Sequence, residues 1–144
     1  MRKKVIVYCD GGCDKNPGGI GGWGAVLRYK AHEIQLKGFE PNSTNNRMEL
    51  TAALKALLAL KEPCTVEIYT DSQYLQKGMS EWIPTWIRKN WKGIKNSELW
   101  QALLEAAQPH HVSWHWVKGH NGNPGNELAD TLATQGIRDF YDQA

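Results

Sequence analysis

Four acidic residues lie where folding can gather them. Asp10 closes the apolar run at 5–9 and Asp71 closes the run at 66–70. If the two runs are neighbouring parallel strands, both aspartates stand at the carboxyl end of the sheet, where open α/β sheets hold their ligands. Glu49 falls in the first turn of the helix predicted between those strands, and Asp130 in the early turns of the last predicted helix. Four carboxylates brought together without a cation raise one another's pKa values strongly, so the set calls for divalent metal. Oxygen ligands unaccompanied by cysteine or clustered histidine favour a hard ion, Mg²⁺ or Mn²⁺, over zinc. Each acid also has a plainer structural use. Asp10 could precede a Gly-Gly turn, Asp71 could cap a helix, Glu49 could close a capping box with Asn46, and Asp130 could sit on the polar face opposite Leu128 and Leu132. It is the set of four that favours the metal.

The elements that must position these acids follow from periodicity. Residues 4–9 predict a buried strand entering a turn at Asp10-Gly11-Gly12, and residues 21–29 and 34–39 predict two more strands joined as a hairpin. Met48, Ala52, Leu54, Leu57 and Leu58 recur at helical spacing over 46–60, with Asn46 and Glu49 in capping-box frame. Val66, Ile68 and Thr70 predict a strand, and Asp71 opens a helical segment. Two short helical segments follow at 81–87 and 98–107, then a strand at 112–117. Asn123-Pro124 supplies a cap and a first-turn proline for the last helix. The order β-β-β-α-β-α-α-β-α is an α/β layout whose later strands pair in parallel through helical crossovers.

At 144 residues, with 41% hydrophobic and 22% charged side chains and no repeat or linker, the expectation is one globular domain over 1–144. The longest apolar stretch, 52–60, is interrupted by Lys55 and falls short of the roughly 20 residues a membrane span needs. The basic start Met1-Arg2-Lys3-Lys4 leads into an apolar run that stops at Asp10 without a cleavage pattern, so cytoplasmic residence is expected. Cys9, Cys13 and Cys64 form no metal-type pair and are expected as free thiols. Net charge is only +2, but between Glu81 and Glu98 there are Arg88, Lys89, Lys92 and Lys95 and no acid, together with Trp82, Trp86 and Trp91. Trp91, Trp100, Trp114 and Trp116 are expected in the core. His111 and His115 are four apart, which on a strand is roughly 13 Å and too far to share an ion.

Five segments, in order, resemble ribonuclease H of type 1, the bacterial ribonuclease HI family. They are 8–18 (YCDGGCDKNPG), 44–49 (TNNRME), 69–73 (YTDSQ), 114–120 (WHWVKGH) and 126–130 (NELAD). The resemblance implies a five-stranded mixed sheet flanked by helices. It also implies Mg²⁺-dependent endonucleolytic cleavage of the RNA strand of an RNA/DNA hybrid, leaving 5′-phosphate and 3′-hydroxyl ends. Residue by residue, Asp10, Glu49, Asp71 and Asp130 match the metal-binding carboxylates and His120 the mobile catalytic histidine. Two cations about 4 Å apart suit such a site.

For the substrate, Cys13, Asn16, Asn45, Asn46 and Gln73 match positions that contact the RNA strand, where 2′-hydroxyls in a wide minor groove are the accessible signal. Thr44 and Asn96 match a pocket for a DNA-strand phosphate. Trp82, Trp86, Arg88, Lys89, Lys92 and Lys95 resemble the family's basic protrusion, with the two indoles presenting a ridge to DNA sugars and the cations supplying phosphate affinity. Two departures stand out: Gly12 replaces a serine common in the family, and the stretch 91–96 is short for a full protrusion. A monomer with no obligate protein partner and no membrane association is expected. Two other functions compete, a DNA nuclease or transposase-type enzyme on the same fold and a hybrid-binding module without catalysis. The TNNRME segment and the protrusion argue against the first, and retention of all four carboxylates argues against the second.

Overall fold

Alternation along the first strand decides how the layers stack. In the computed structural model, which describes residues 2–119 and 122–143, β1 (Lys3–Cys13) buries Val5, Val7 and Cys9 on one face. Strands β2 (Gly21–Tyr29) and β3 (His32–Glu40) continue it as an antiparallel meander. On its other side β4 (Cys64–Thr70) and β5 (His111–Trp116) add in parallel, giving the order β3-β2-β1-β4-β5. This is the mixed five-stranded sheet that the sequence implies. Pairing of β1 with β4 ends at Tyr8↔Tyr69, so Asp10 and Asp71 each stand two residues beyond the last pair, level with one another.

The turn expected at Asp10-Gly11-Gly12 is not formed. Strand β1 runs on through both glycines, pairing Gly11 with Trp23 and Gly12 with Gly22. Gly11 serves close approach instead: a Cβ there would lie 2.3 Å from the Met48 carbonyl carbon, so the backbone of helix α1 (Asn45–Leu58) rests on the strand. The cap of α1 also differs from expectation. Thr44, not Asn46, holds the helix start, its Oγ1 accepting from the Arg47 amide at 3.1 Å. That shift of frame frees Glu49 from capping and turns it into the protein.

Ser72 caps α2 (Gln73–Lys77), accepting from the Leu75 amide at 3.0 Å, which leaves Asp71 uncommitted. The helical segments expected from 71 and over 81–87 are one continuous run, joined by a π-helical turn at Gly78–Trp82 that leads into α3 (Ile83–Arg88). Pro84 has no N–H to offer the carbonyl four residues back and its ring crowds that carbonyl, so the turn before it loosens. Two helices complete the chain, α4 (Ser97–Ala107) and α5 (Pro124–Asp142), the latter capped by Asn123 as expected.

Helices α1, α2 and α4 cover one face of the sheet. There Leu50, Leu57, Leu75, Trp100 and Leu103 meet Val5, Val7, Val66 and Ile68 in the main core, and each such side chain contributes about 1.5–3 kcal/mol by leaving water. Helix α5 covers the other face with Ala129 and Leu132 against Val26. Its approach is backbone to backbone, since a Cβ on Gly24 would lie 2.5 Å from the Ala129 carbonyl oxygen. Of the tryptophans expected inside, Trp100 is fully buried and Trp91 and Trp114 pack against this core. Trp116 is a correction: it is the last residue of the edge strand β5 and stays 44% exposed. Among the described residues, no helix is long and apolar enough to cross a membrane.

Candidate active site

Two strand ends and one helix bring Asp10, Asp71 and Glu49 together, each offering a carboxylate oxygen within 4.8 Å of the others. Glu49 is only 8% exposed, and its Oε1 is buried without a hydrogen-bond partner. Such an orphaned acceptor costs roughly 1–3 kcal/mol, more if charged. Burial pushes the Glu49 carboxyl well above the ordinary range, and the charges of Asp10 and Asp71 push it further. Asp10 is pushed up to about 8, first by burial, then by the Asp71 charge, then by a hydrogen bond with Asp130. Helix α5 thus brings Asp130 to Asp10, but Asp130 is not one of the three acids whose oxygens lie within 4.8 Å of one another. All the donors are oxygens, they repel one another, and one has no partner among the described residues. A hard divalent cation fits that set.

The end of β5 steadies Asp71 from the far side. Trp116 Nε1 donates to the Asp71 carbonyl at 3.0 Å, and the Val117 amide donates to the Thr70 carbonyl at 2.8 Å. The backbone of Gly119 lies against the carboxylate itself, for a Cβ there would be 2.9 Å from Asp71 Oδ2. His120, the next residue, lies outside the described residues.

Beside the carboxylates is a cavity of about 440 Å³ lined by Asn16, Pro17, Thr44, Asn45, Asn46, Tyr74, Lys95 and Asn96. It unites the amides matched to the RNA strand with the pair matched to a DNA phosphate. Its walls are tied to one another: the Cys13 amide donates to Asn45 Oδ1 at 2.8 Å and the Asn45 amide to Asn16 Oδ1 at 3.0 Å. The loop that carries Asn16 is clamped by Gly18 N–H to the Ser43 carbonyl at 2.7 Å and Ser43 N–H to the Gly19 carbonyl at 2.9 Å. Gln73 is exposed at the start of α2, two residues from Asp71.

In the protrusion Arg88, Lys89, Lys92 and Lys95 are all exposed, and none is ion-paired among the described residues. The two indoles of the expected ridge differ in exposure. Trp82 is 37% exposed, but Trp86 is half-buried, with ring centroids 5.8 Å from Trp82, 6.1 Å from Trp91 and 5.0 Å from Trp100. Trp86 roots the protrusion in the core, because the π-turn and the core tryptophan Trp100 draw it inward. His115 Nε2 lies 2.7 Å from Glu67 Oε1 and its ring stacks on Tyr69, while His111 is exposed, so the two do not form a chelating pair.

Three neighbours of the site were not visible in the sequence pattern: Trp116, Tyr74 and Arg47. The Arg47 guanidinium gathers Glu40 from β3, Glu98 from α4 and Asn96 beside the cavity. Its place in the TNNRME segment was the one available signal.

With this geometry in hand, comparison with known proteins is specific. Residues 2–138 match the RNase H family model. The chain is 58% identical over 140 residues to a ribonuclease H of Cupriavidus necator, covering 94% of this chain and 96% of that protein. It is 55% identical over 142 residues to a ribonuclease H of Legionella pneumophila, covering 95% and 99%. It is also similar to the crystal structure of LC9-RNase H1, described as a type 1 RNase H with the type 2 active-site motif. That match has a TM-score of 0.89 at 31% identity and covers 96% of this chain and 74% of that one. The chain belongs to the RNase H family.

Proposed function

We propose that this chain is an endonuclease that hydrolyses the RNA strand of an RNA/DNA hybrid, leaving 5′-phosphate and 3′-hydroxyl ends, with Mg²⁺ as cofactor and Mn²⁺ able to replace it. The observation that carries this reading is the buried, unpartnered Oε1 of Glu49 within 4.8 Å reach of Asp10 and Asp71. Two bound cations would supply the charge that activates water on one side of the scissile phosphate and stabilises the leaving 3′-oxygen on the other. Asp10, Glu49 and Asp71 would hold those cations, with Asp130, beside Asp10, as the fourth carboxylate. No side chain is needed as nucleophile. His120 shuttles a proton or eases product release, either of which suits a histidine side chain.

Selection of the hybrid falls to the cavity and the protrusion. Asn16, Asn45, Asn46 and Gln73, with the Cys13 region, read 2′-hydroxyls through the minor groove. Thr44 and Asn96 hold a phosphate of the DNA strand. Trp82, with Trp86 behind it, meets DNA sugars, and Arg88, Lys89, Lys92 and Lys95 supply salt-sensitive affinity. We also propose a monomer acting in the cytoplasm, which three unpaired thiols support.

Cleavage of end-labelled hybrid, duplex DNA and duplex RNA, each in Mg²⁺ and in EDTA, tests the whole reading. Hybrid is expected to be cut far faster than either duplex, and only with the metal. Comparable rates on duplex DNA would sink it.

A further inference from the structure

The cavity beside the carboxylates contains one hydroxyl to which no pattern in the sequence pointed. Tyr74, in the first turn of α2, lines the wall shared with Thr44 and Asn96. Its oxygen has two neighbours, Trp100 Nε1 at 3.1 Å and Asn96 Nδ2 at 3.2 Å. Both are donors. An indole nitrogen can only donate, and Trp100 is fully buried, so its N–H is committed to this oxygen.

The Asn96 amide is oriented from its other end. Arg47 Nη1 lies 3.4 Å from Asn96 Oδ1, and a guanidinium has no acceptor to offer. The amide oxygen therefore faces Arg47 and the amide nitrogen faces Tyr74. Arg47 is fixed in turn, its Nε 3.1 Å from Glu40 Oε2 and its Nη1 2.7 Å from Glu98 Oε1. Polarity is thus set along a chain that runs from the two glutamates through Arg47 and Asn96 to Tyr74.

A phenol oxygen accepts about two hydrogen bonds and donates one. Both acceptances are used here, and the proton has no partner among the described residues. One hydrogen of Asn96 Nδ2 is left over in the same way. The wall that Tyr74 and Asn96 form therefore presents hydrogens rather than lone pairs, with the exposed cation of Lys95 beside it. We infer that the Tyr74 hydroxyl is a binding donor for a backbone phosphate, giving its proton to a non-bridging oxygen of a phosphate seated between Thr44 and Asn96. The inference rests on the proposed hybrid substrate, which makes the DNA strand the source of that phosphate.

The test is binding of labelled hybrid by fluorescence anisotropy in EDTA, where cleavage is silent. It uses a set of hybrids in which one DNA-strand phosphate at a time is the neutral methylphosphonate. For the wild type, one position in the set is expected to weaken binding by about tenfold, the scale of a hydrogen bond to a charged group. Tyr74→Phe should weaken binding of the unmodified hybrid by a similar factor. At that same position its methylphosphonate penalty should shrink to under about threefold, with the penalties elsewhere unchanged. If the full penalty survives in Tyr74→Phe, the inference is overturned even where overall affinity has dropped, because lost packing is additive with the modification and a lost phosphate contact is not.

Should the melting transition show that Tyr74→Phe does not fold, Arg47→Met reads the same chain. With no donor at its Oδ1, Asn96 can turn its oxygen towards Tyr74 and draw the phenol proton out of the cavity, so the penalty at that position should shrink again. Persistence of the full penalty overturns the assignment there too. A wild-type protein that cuts hybrid while Tyr74 fails this test leaves the proposed function standing. A wild type that neither binds nor cuts hybrid removes that function, and the assignment with it.

Discussion

The carboxylate cluster and the cavity beside it are neighbours built on opposite terms. In the cavity the polar groups are largely closed on one another before anything arrives, Cys13 to Asn45, Asn45 to Asn16, Arg47 to Asn96. In the cluster Glu49 Oε1 has no partner among the described residues, and the Asp10 carboxyl is pushed up to about 8 by burial and by its acidic neighbours. One region fixes its own geometry and leaves only a few hydrogens over, and the other is completed by what it binds. It follows that taking a polar group from the cavity should cost stability, whereas taking a charge from the cluster should cost only activity.

The sharpest way to break that comparison is Asp10→Asn or Asp71→Asn. Cleavage should fall by more than about a thousandfold, since metal-held charge is worth several kcal/mol, while the melting temperature stays level or rises as repulsion is relieved. Parallel assays of cleavage and thermal unfolding check this, and a lowered melting temperature would put the cluster in the same class as the cavity.

The pH dependence of stability sharpens the contrast. A native carboxyl near 8 lies above its unfolded value of about 3.9, so between these limits the folded protein holds more protons than the unfolded one. Stability must then fall as pH rises from about 4 to about 8 and level off beyond. Thermal melts in EDTA across that window should show the decline. Saturating Mg²⁺, or Asp10→Asn, should flatten it.

Gly11→Ala joins the two regions, because the new methyl would press on the Met48 backbone that precedes Glu49. Overpacking of that kind costs about 1–3 kcal/mol. It should slow cleavage as well, through displacement of α1, and urea unfolding measured alongside single-turnover rates separates the two effects. The smallest effect is expected at the protrusion. Arg88→Ala with Lys89→Ala should leave single-turnover chemistry at saturation nearly intact and flatten the salt dependence of hybrid binding by about one unit per lost phosphate contact. An unchanged slope would move the phosphate track elsewhere.

How much of this was legible in the sequence depended on how local the cause was. Asp10 and Asp71 were legible because the strands that end in them carry their own alternation, and the parallel register then places them level. The cap of α1 was misplaced because Thr44 and Asn46 are both good caps in sequence. Only the fold chooses between them, and that choice decides whether Glu49 caps or faces inward. Gly11 and Gly12 looked like a turn, since a sequence does not distinguish a glycine that bends the chain from one that lets a helix touch it. Trp116 was expected inside and lies exposed for a related reason: tryptophan suits either place, and neighbours far along the chain decide. Tyr74 and Arg47 act through partners 26 and 49 residues away, which no local pattern encodes. The candidate roles of His120 and of the substrate-contacting amides came from family resemblance alone.

The seating of α5 on β2 bears on how such a chain can drift in sequence. Layers kept apart by side chains shift slightly whenever a leucine becomes a valine, and the core between the sheet and helices α1 and α4 is of that kind. At Gly24 the contacts of α5 are the Ala129 carbonyl oxygen and the Leu132 Cβ, atoms that any residue but glycine supplies at those positions. The spacing of α5 from β2 at this point is therefore set by backbone and Cβ atoms. A methyl group added at position 24 would have to push α5, and Asp130 with it, away from the sheet.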